Sequence, residues 1–476
     1  MSLTAPWVEH WRDEPGRPVL LDAADGHLLD GLEVDRATVA LAVRLAALGV
    51  RPGDRVLLSC GPSTRTVVAY AALLRLGAVV VPANTAYTEV ELGHIAGDVR
   101  PVLALLDDPS RIGGLPLGSH PADLATTIPG PGSAGWAVLD AAAGGDAAMI
   151  AFTSGTTGRP KGAVLSHGNL RAGADALVEA WGWTPDDRLV HALPMFHMHG
   201  LGAAINGTLA AGASMVVLAR FEPAAVVDAV AEHGATLFFG VPTMYARLRD
   251  AGHLGGLRGL RLLVSGSAPL DPALFRAIAS QAGQPPIERY GMSETVMLTS
   301  NPLRGERRAG SVGLPLPGVQ VRLGDSGAVE VRGPNVFAGY WERPDANVEA
   351  FTVDGWFRTG DVGELDADGY LRLVGRASDL IITGGYNVYP REVEDAILDH
   401  PDVLDAAVVG VPDETWGETV VAYVVLRVGV ADLGAELAAH VEARLAGYKR
   451  PRRWTALEAL PRNAMGKVSR DELRAM

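Results

Sequence analysis

A chain of 476 residues is too long for one ordinary core and implies two to four modules at about 100–200 residues per domain. With 48% hydrophobic and 20% charged residues it can bury substantial cores, and no low-complexity tract argues for disorder or a fibre. A net charge of −14 sets aside nucleic acid and anionic membranes, which select basic surfaces, and a single cysteine, Cys60, excludes a disulfide framework and a multi-cysteine metal centre.

Residues 1–20 mix charges and prolines with apolar residues, and no apolar run approaches the roughly 18 residues that span a bilayer, so the expectation is a cytoplasmic protein. Cys60 closes an apolar stretch and reads as a core residue. From about 36 to 300, strand-length apolar runs alternate with helical periodicity. Helices are expected over 39–48, stopped by Gly49, and 66–76, stopped by Gly77. Strands are expected at 56–59, 79–81, 215–218, 237–240, 262–265 and 287–290. This alternation predicts an α/β fold with parallel sheets buried on both faces. After about 310 the segments shorten and glycine and proline punctuate them, as in 313–318 and 333–339, which predicts an antiparallel or barrel-like subdomain. Beyond 375 the pattern reads helix (391–398), strand (406–411), strand (420–426), helix (433–445) and a short closing strand, a compact α+β unit.

Of the 41 basic residues only three are lysines, Lys161, Lys449 and Lys467. In so arginine-biased a chain, lysine is retained where a compact ammonium does what a guanidinium cannot, so each is a candidate functional residue. Lys161 closes the run Thr153-Ser154-Gly155-Thr156-Thr157-Gly158-Arg159-Pro160-Lys161-Gly162, which follows an apolar strand at 148–152. Its glycines let backbone N–H groups close around an anion, its hydroxyls add donors and its lysine adds charge, so it reads as a phosphate cradle. It is not the common nucleotide P-loop, because Gly162 stands where a magnesium-binding Ser or Thr is required.

This loop resembles the signature of the adenylate-forming superfamily of acyl-CoA synthetases, nonribosomal adenylation domains and luciferases. The likeness spans roughly residues 20–476 and includes Phe239-Gly240-Val241-Pro242-Thr243, Ser265-Gly266-Ser267-Ala268-Pro269, Tyr290-Gly291-Met292-Ser293-Glu294-Thr295, Thr359-Gly360-Asp361, Gly375-Arg376, Gly384-Gly385-Tyr386-Asn387 and Pro461-Arg462-Asn463-Ala464-Met465-Gly466-Lys467. It implies a large N-terminal domain, 1–376, built of two doubly wound α/β subdomains and a barrel-like one, and a small mobile α+β lid domain, 377–476. It also implies ATP, Mg²⁺ and coenzyme A.

Carried over position by position, the resemblance places Thr153, Ser154, Gly155, Thr156, Thr157, Gly158 and Lys161 on the phosphates. Gly266, Ser267, Ala268, Glu288, Gly291, Met292 and Ser293 would line the nucleotide, with Tyr290 on the adenine. Glu294 would hold Mg²⁺, Thr295 would hydrogen-bond the α-phosphate, Asp361 would accept both ribose hydroxyls, and Arg376 would reach the same sugar. Lys467 would bridge the attacking carboxylate and the α-phosphate as pyrophosphate leaves. The small domain would then rotate about Ser378, where many relatives carry Asp or Lys, to bring Gly384 and Gly385 to the coenzyme A thiol. Lys449 is balanced between a structural contact and a coenzyme A phosphate.

Many members have Gln-Gly-Tyr-Gly where this chain has Glu288-Arg289-Tyr290-Gly291, and together with Met195-Phe196-His197-Met198-His199-Gly200 this resembles the malonyl-CoA synthetases. An arginine facing an apolar acyl pocket is costly unless a counter-charge arrives, and a second substrate carboxylate supplies it bidentately. The expected acid is a short dicarboxylate, malonate ahead of methylmalonate, contacted by Arg289 with His197 and Met297 in the pocket. His199 reads as structural. Two histidines two apart lack a third metal ligand. The open alternatives are a short or medium monocarboxylic acid, or a carrier protein loaded in trans. The chain ends nine residues after Lys467 with no carrier module, which favours free coenzyme A.

Overall fold

The computed structural model describes residues 1–108, 110, 120–123, 138–153, 160–427, 434–462 and 467–476. These form two compact units, one of 1–321 with 331–357, the other of 322–330 with 358–476.

Two sheets organise the first unit. One has nine strands among the described residues, in the order Leu314–Pro315, Thr299–Ser300, Ile287–Tyr290, Leu262–Ser265, Leu237–Gly240, Arg188–His191, Ser214–Val217, Pro18–Asp22 and Leu28–Asp30. Its centre is parallel and its edges antiparallel. The inner strands are buried along their whole length, as expected of parallel strands covered on both faces. From Arg188–His191 the chain builds outward through Ser214–Val217, then returns to fill the other side with Leu237–Gly240 and its successors. Where strand order reverses in this way, an open α/β sheet leaves a crevice at the carboxyl ends of its strands.

The second sheet runs Gly339–Tyr340, Lys161–Ser166, Ala147–Thr153, Val79–Pro82, Arg55–Ser59, Leu103–Leu106, His120–Asp123. It is parallel from Ala147–Thr153 onward. The antiparallel pair Ala147–Thr153 and Lys161–Ser166 sets Thr153 opposite Lys161, and Gly339–Tyr340 adds to its outer edge.

The predicted helix at 66–76 is Thr64–Leu76, opened by Ser63, whose Oγ accepts from Thr66 N, and stopped by Gly77 at φ 80°. The helix expected over 39–48 starts earlier and covers Gly31–Ala47. Asp30 accepts from Glu33 N and Glu33 accepts from Asp30 N, a capping box that satisfies two otherwise orphaned donors and fixes the start eight residues upstream. Beneath the nine-stranded sheet, Val190, Val216, Phe238 and Leu263 pack with Tyr245, Leu274 and Ile278 of the covering helices. Each such buried apolar side chain contributes roughly 1.5–3 kcal/mol.

In the second unit a four-stranded sheet, Gln320–Leu323, Ala328–Arg332, Phe357–Leu365 and Leu371–Arg376, carries the passages of the chain across the unit boundary. Another sheet orders Tyr386–Val388, Ile381–Thr383, Gly417–Leu426 and Val403–Asp413, with Arg453–Ala456 parallel to Gly417–Leu426. Val393 and Ile397 of the helix Pro390–Leu398 pack on it with Leu437 and Val441 of Gly434–Glu442. The strands expected at 406–411 and 420–426 are the inner parts of a longer antiparallel hairpin. No helix among the described residues is long and apolar enough to cross a membrane.

Candidate active site

The carboxyl ends of the parallel strands carry the chemistry. After Arg188–His191 the chain passes through His197 and enters a π-helical turn, His199–Ile205, in which every residue is buried. Such turns are rare and often mark functional sites. His197 is half-buried, and its Nδ1 accepts from His199 N at 3.2 Å. Leu262–Ser265 ends in Gly266 and Ser267, the latter at φ 72°, where a residue other than glycine is strained. Ala268 is exposed.

Arg289, on the neighbouring strand Ile287–Tyr290, lies against that bend. It is 5% exposed, and a Cβ added to Gly266 would stand 2.4 Å from its Cζ. Gly266 is therefore required by the guanidinium, which occupies the space a side chain would need. Arg289 Nη2 donates to Ser267 Oγ at 3.4 Å, and its Nε has no hydrogen-bond partner among the described residues. Burial pushes its pKa down to about 9, and no acid among the described residues acts in the opposite direction. Glu288 alternates to the other side of the strand and accepts from Gly310 N at 3.1 Å, so it does not supply a counter-charge.

The turn after Tyr290 holds Glu294, 4% exposed. Its Oε1 accepts from Tyr340 Oη at 2.9 Å, and Lys161 Nζ stands 5.4 Å from the centre of the Tyr340 ring. One tyrosine thus brings the cradle lysine and the expected magnesium carboxylate together, although they are far apart in the chain. Thr295 Oγ1 is buried without a hydrogen-bond partner among the described residues. Asn335 Nδ2 braces the turn by donating to the carbonyls of Thr295 and Met297 at 2.8 and 2.7 Å, and Phe337 N donates to that of Glu294 at 2.8 Å. These contacts hold Val296 at φ 58°, a conformation that costs a β-branched residue about 1–3 kcal/mol. Met297 is buried with its Sδ 3.0 Å from where a Cβ on Gly291 would stand, Tyr290 is 8% exposed, and Met292 and Ser293 are half-buried. Thr153 Oγ1 donates to Lys161 O at 3.4 Å, and Ser154, Gly155, Thr156, Thr157 and Gly158 lie outside the described residues.

In the second unit Asp361 and Arg376 face each other across antiparallel strands, Oδ1 to Nε at 3.0 Å, and Asp361 N donates to Thr359 Oγ1. Asp361 is buried and Arg376 more exposed, so the carboxylate is pre-oriented by its neighbour. Ser378 lies in the short turn Ala377–Asp379 that directly follows the strand. Gly384 and Gly385 both have positive φ, and a Cβ on Gly384 would meet the Trp416 ring at 2.9 Å. Lys449 Nζ is paired with both carboxylate oxygens of Glu392, at 2.5 and 2.7 Å, a structural contact within the unit. Lys467 is exposed, one residue before the bridge partner Val468.

The sequence did not single out Tyr340, Asn335 or the link from His199 to Ser267. Only the glycine-rich texture around 333–339 and the His197-x-His199 spacing hinted at them. Chemically, the described residues of the first unit offer a buried cation with no acid paired to it, a buried carboxylate held by a tyrosine over which a lysine lies, and a buried hydroxyl with no hydrogen-bond partner among them. Such a set suits an anionic substrate and a phosphate–metal complex.

The chain matches the family model described as AMP-binding enzyme over residues 7–341 and that of the AMP-binding enzyme C-terminal domain over 392–467. It is 36% identical to a sulfoacetate–CoA ligase of Cupriavidus necator, over 99% of this chain and 96% of that protein. It is equally 36% identical to the mitochondrial malonate–CoA ligase of Mus musculus, over 96% of this chain and 88% of that protein. A feruloyl-CoA synthase of Amycolatopsis is 37% identical over 94% of each chain. Among solved structures, ATP-bound MatB from Rhodopseudomonas palustris superposes with a TM-score of 0.94 at 38% identity, covering 100% of this chain and 99% of that one.

Proposed function

The chain belongs to the AMP-binding enzyme family and is an ATP-dependent acyl-CoA ligase; from that premise we propose that its acid is a short dicarboxylate, malonate first and methylmalonate next. The observation that carries this reading is Arg289: a buried guanidinium, pressed on Gly266, with no acid opposing it among the described residues. A buried charge left unpaired is strongly unfavourable, and a substrate bringing a second carboxylate removes the penalty on arrival.

The acid's reacting carboxylate attacks the α-phosphorus of ATP, pyrophosphate leaves, and the acyl-adenylate then yields its acyl group to the coenzyme A thiol with loss of AMP. In this reading Lys161 and the loop from Thr153 meet the phosphates, and Thr295 Oγ1, buried and unpartnered among the described residues, supplies a hydrogen bond to the α-phosphate. A buried carboxylate fits a hard divalent cation, so Glu294 would hold Mg²⁺, which when bound neutralises charge on the phosphates. Tyr340 keeps that carboxylate aimed. Asp361, steadied by Arg376, takes the ribose hydroxyls, and Tyr290 the adenine. Lys467 sits between carboxylate and α-phosphate during adenylation. The segment 377–476 then turns about Ser378, and Gly384 and Gly385 line the path of the thiol. Met297 walls the acyl pocket and His197 stands at its entrance.

Pyrophosphate release with malonate, acetate and octanoate tests the proposal. Malonate is expected to exceed acetate by about 10³ or more in kcat/KM, because a monocarboxylate leaves the guanidinium unpaired. Equal or better turnover of octanoate defeats the reading. One observation supports a second reading: a guanidinium pairs with any bidentate oxyanion, and a sulfoacetate ligase is as similar to this chain as a malonate ligase. Preference for sulfoacetate over malonate in the same assay selects it.

A further inference from the structure

Two hydrogen bonds meet on a single oxygen in the acyl pocket. Arg289 Nη2 donates to Ser267 Oγ at 3.4 Å, and Ser267 Oγ lies 3.4 Å from His199 Nδ1. A guanidinium has donors and no acceptor, so the serine oxygen accepts from Arg289, and its one hydrogen is free to turn to Nδ1. With the serine hydrogen turned to Nδ1, His199 accepts there and carries its proton on Nε2, the neutral tautomer. The surroundings agree. His199 is 3% exposed, its ring is stacked 6.3 Å from that of Phe239, and burial, then the neighbouring Arg289 charge, holds its pKa well below the usual imidazole range. Protonation there would put a second cation beside the guanidinium.

That geometry leaves two buried donors, His199 Nε2–H and Arg289 Nε–H, without a hydrogen-bond partner among the described residues. The serine between them is kept in a left-handed conformation, at φ 72°, that such a residue does not adopt without cause. Gly266 before it has no side chain, and the guanidinium lies in the space one would fill. His199 therefore begins a chain of three side chains that ends on the substrate-facing cation.

We propose that His199 is a positioning residue for acid selection: through Ser267 it fixes the plane of the Arg289 guanidinium, so that the pocket presents a fixed set of donors to the distal anionic group of the acid. The inference rests on the dicarboxylate reading above and deepens it, assigning part of the specificity to a residue that need not touch the reacting carboxylate. It concerns orientation and not charge, since Arg289 stays cationic whether or not His199 is present.

The experiment measures pyrophosphate release by wild type, His199→Phe, His199→Asn, Ser267→Ala and Arg289→Met, with malonate, sulfoacetate and propionate as acids. His199→Phe keeps the aromatic stack and loses the nitrogen. It is expected to raise the KM for malonate about tenfold, and to shrink the malonate-to-propionate ratio of kcat/KM by a similar factor, with the KM for ATP within about twofold of wild type. His199→Asn, whose amide can meet Ser267, is expected to recover most of the ratio. If His199→Phe does not fold, Ser267→Ala decides on the malonate-to-propionate ratio alone. A His199→Phe or Ser267→Ala enzyme with the wild-type ratio overturns the proposal, as does, in His199→Phe, a loss shared equally by malonate, propionate and ATP. The two readings fail separately. A wild type that does not prefer a distal anion removes the dicarboxylate reading, whereas a preference lost in Arg289→Met and retained in both His199→Phe and Ser267→Ala removes this inference alone. Sulfoacetate and malonate falling together indicates that the pocket reads the shared oxyanion.

Discussion

Arg289 is placed where stability and specificity oppose each other. Its side chain is buried against Gly266 with its Nε unpartnered among the described residues, and taking one charge out of water costs on the order of several kcal/mol, which an apolar side chain of similar length does not incur. Arg289→Met is therefore expected to raise the apparent melting midpoint of the ligand-free protein by a few degrees, while lowering kcat/KM for malonate about 10³-fold. Thermal unfolding followed by the acid panel checks both, and a lowered midpoint with intact malonate turnover contradicts the account. At this scale much was legible. Arginine in place of glycine before Tyr290 and the retention of lysine at 161 are chemical oddities visible in one dimension. The contacts that give them meaning were not: Tyr340 joins Lys161 to Glu294, and Ser267 joins His199 to Arg289, over separations that no local pattern spans. Val296 gave no signal either, because a β-branched residue at positive φ runs against its own preference and is held there by Asn335 and Phe337.

Strands and helices were easier to read than their ends. Leu237–Gly240, Leu262–Ser265 and Ile287–Tyr290 fall on the expected residues, since a strand buried on both faces is a short apolar run between breakers. The helix Gly31–Ala47 began early because its start is set by side chains, Asp30 and Glu33, and not by apolar periodicity. The elements also carry an acid sensitivity. His191 ends the strand Arg188–His191 and His167 opens the helix His167–Ala180, and burial holds both at about 4, below the ordinary 6.5. His167 Nδ1 accepts from Leu3 N, which requires an unprotonated nitrogen. Between those values the unfolded chain binds protons that the folded chain refuses, so stability is full above pH 6.5 and is lost as pH falls towards 4. For His191, fully buried, the loss is on the order of 3 kcal/mol. Melting curves from pH 7.5 to 5 should show the decline, and His191→Phe should flatten it; an unchanged slope in the variant assigns the acid sensitivity elsewhere.

At the scale of the whole chain, two half-reactions need different groups. Lys467 serves only the first in the proposed cycle, so Lys467→Ala is expected to abolish acid-dependent exchange of pyrophosphate into ATP while largely sparing thioester formation from supplied acyl-adenylate. Equal losses in both assays speak against its role. The proposed pivot suits its position: Leu371–Arg376 is paired with Phe357–Leu365 as far as Arg376, so Ser378 is among the first residues whose torsions can change without breaking a strand pair. The sequence showed an α+β tail but not that residues 322–330 share a compact unit with 358–476, because strand pairing between distant segments leaves no mark on either one. That shared unit has a consequence during synthesis. A ribosome delivers Ala328–Arg332 well before its sheet neighbour Phe357–Leu365 has left the exit tunnel. For that interval the nascent chain carries an open strand edge, a surface that other extended segments can pair with.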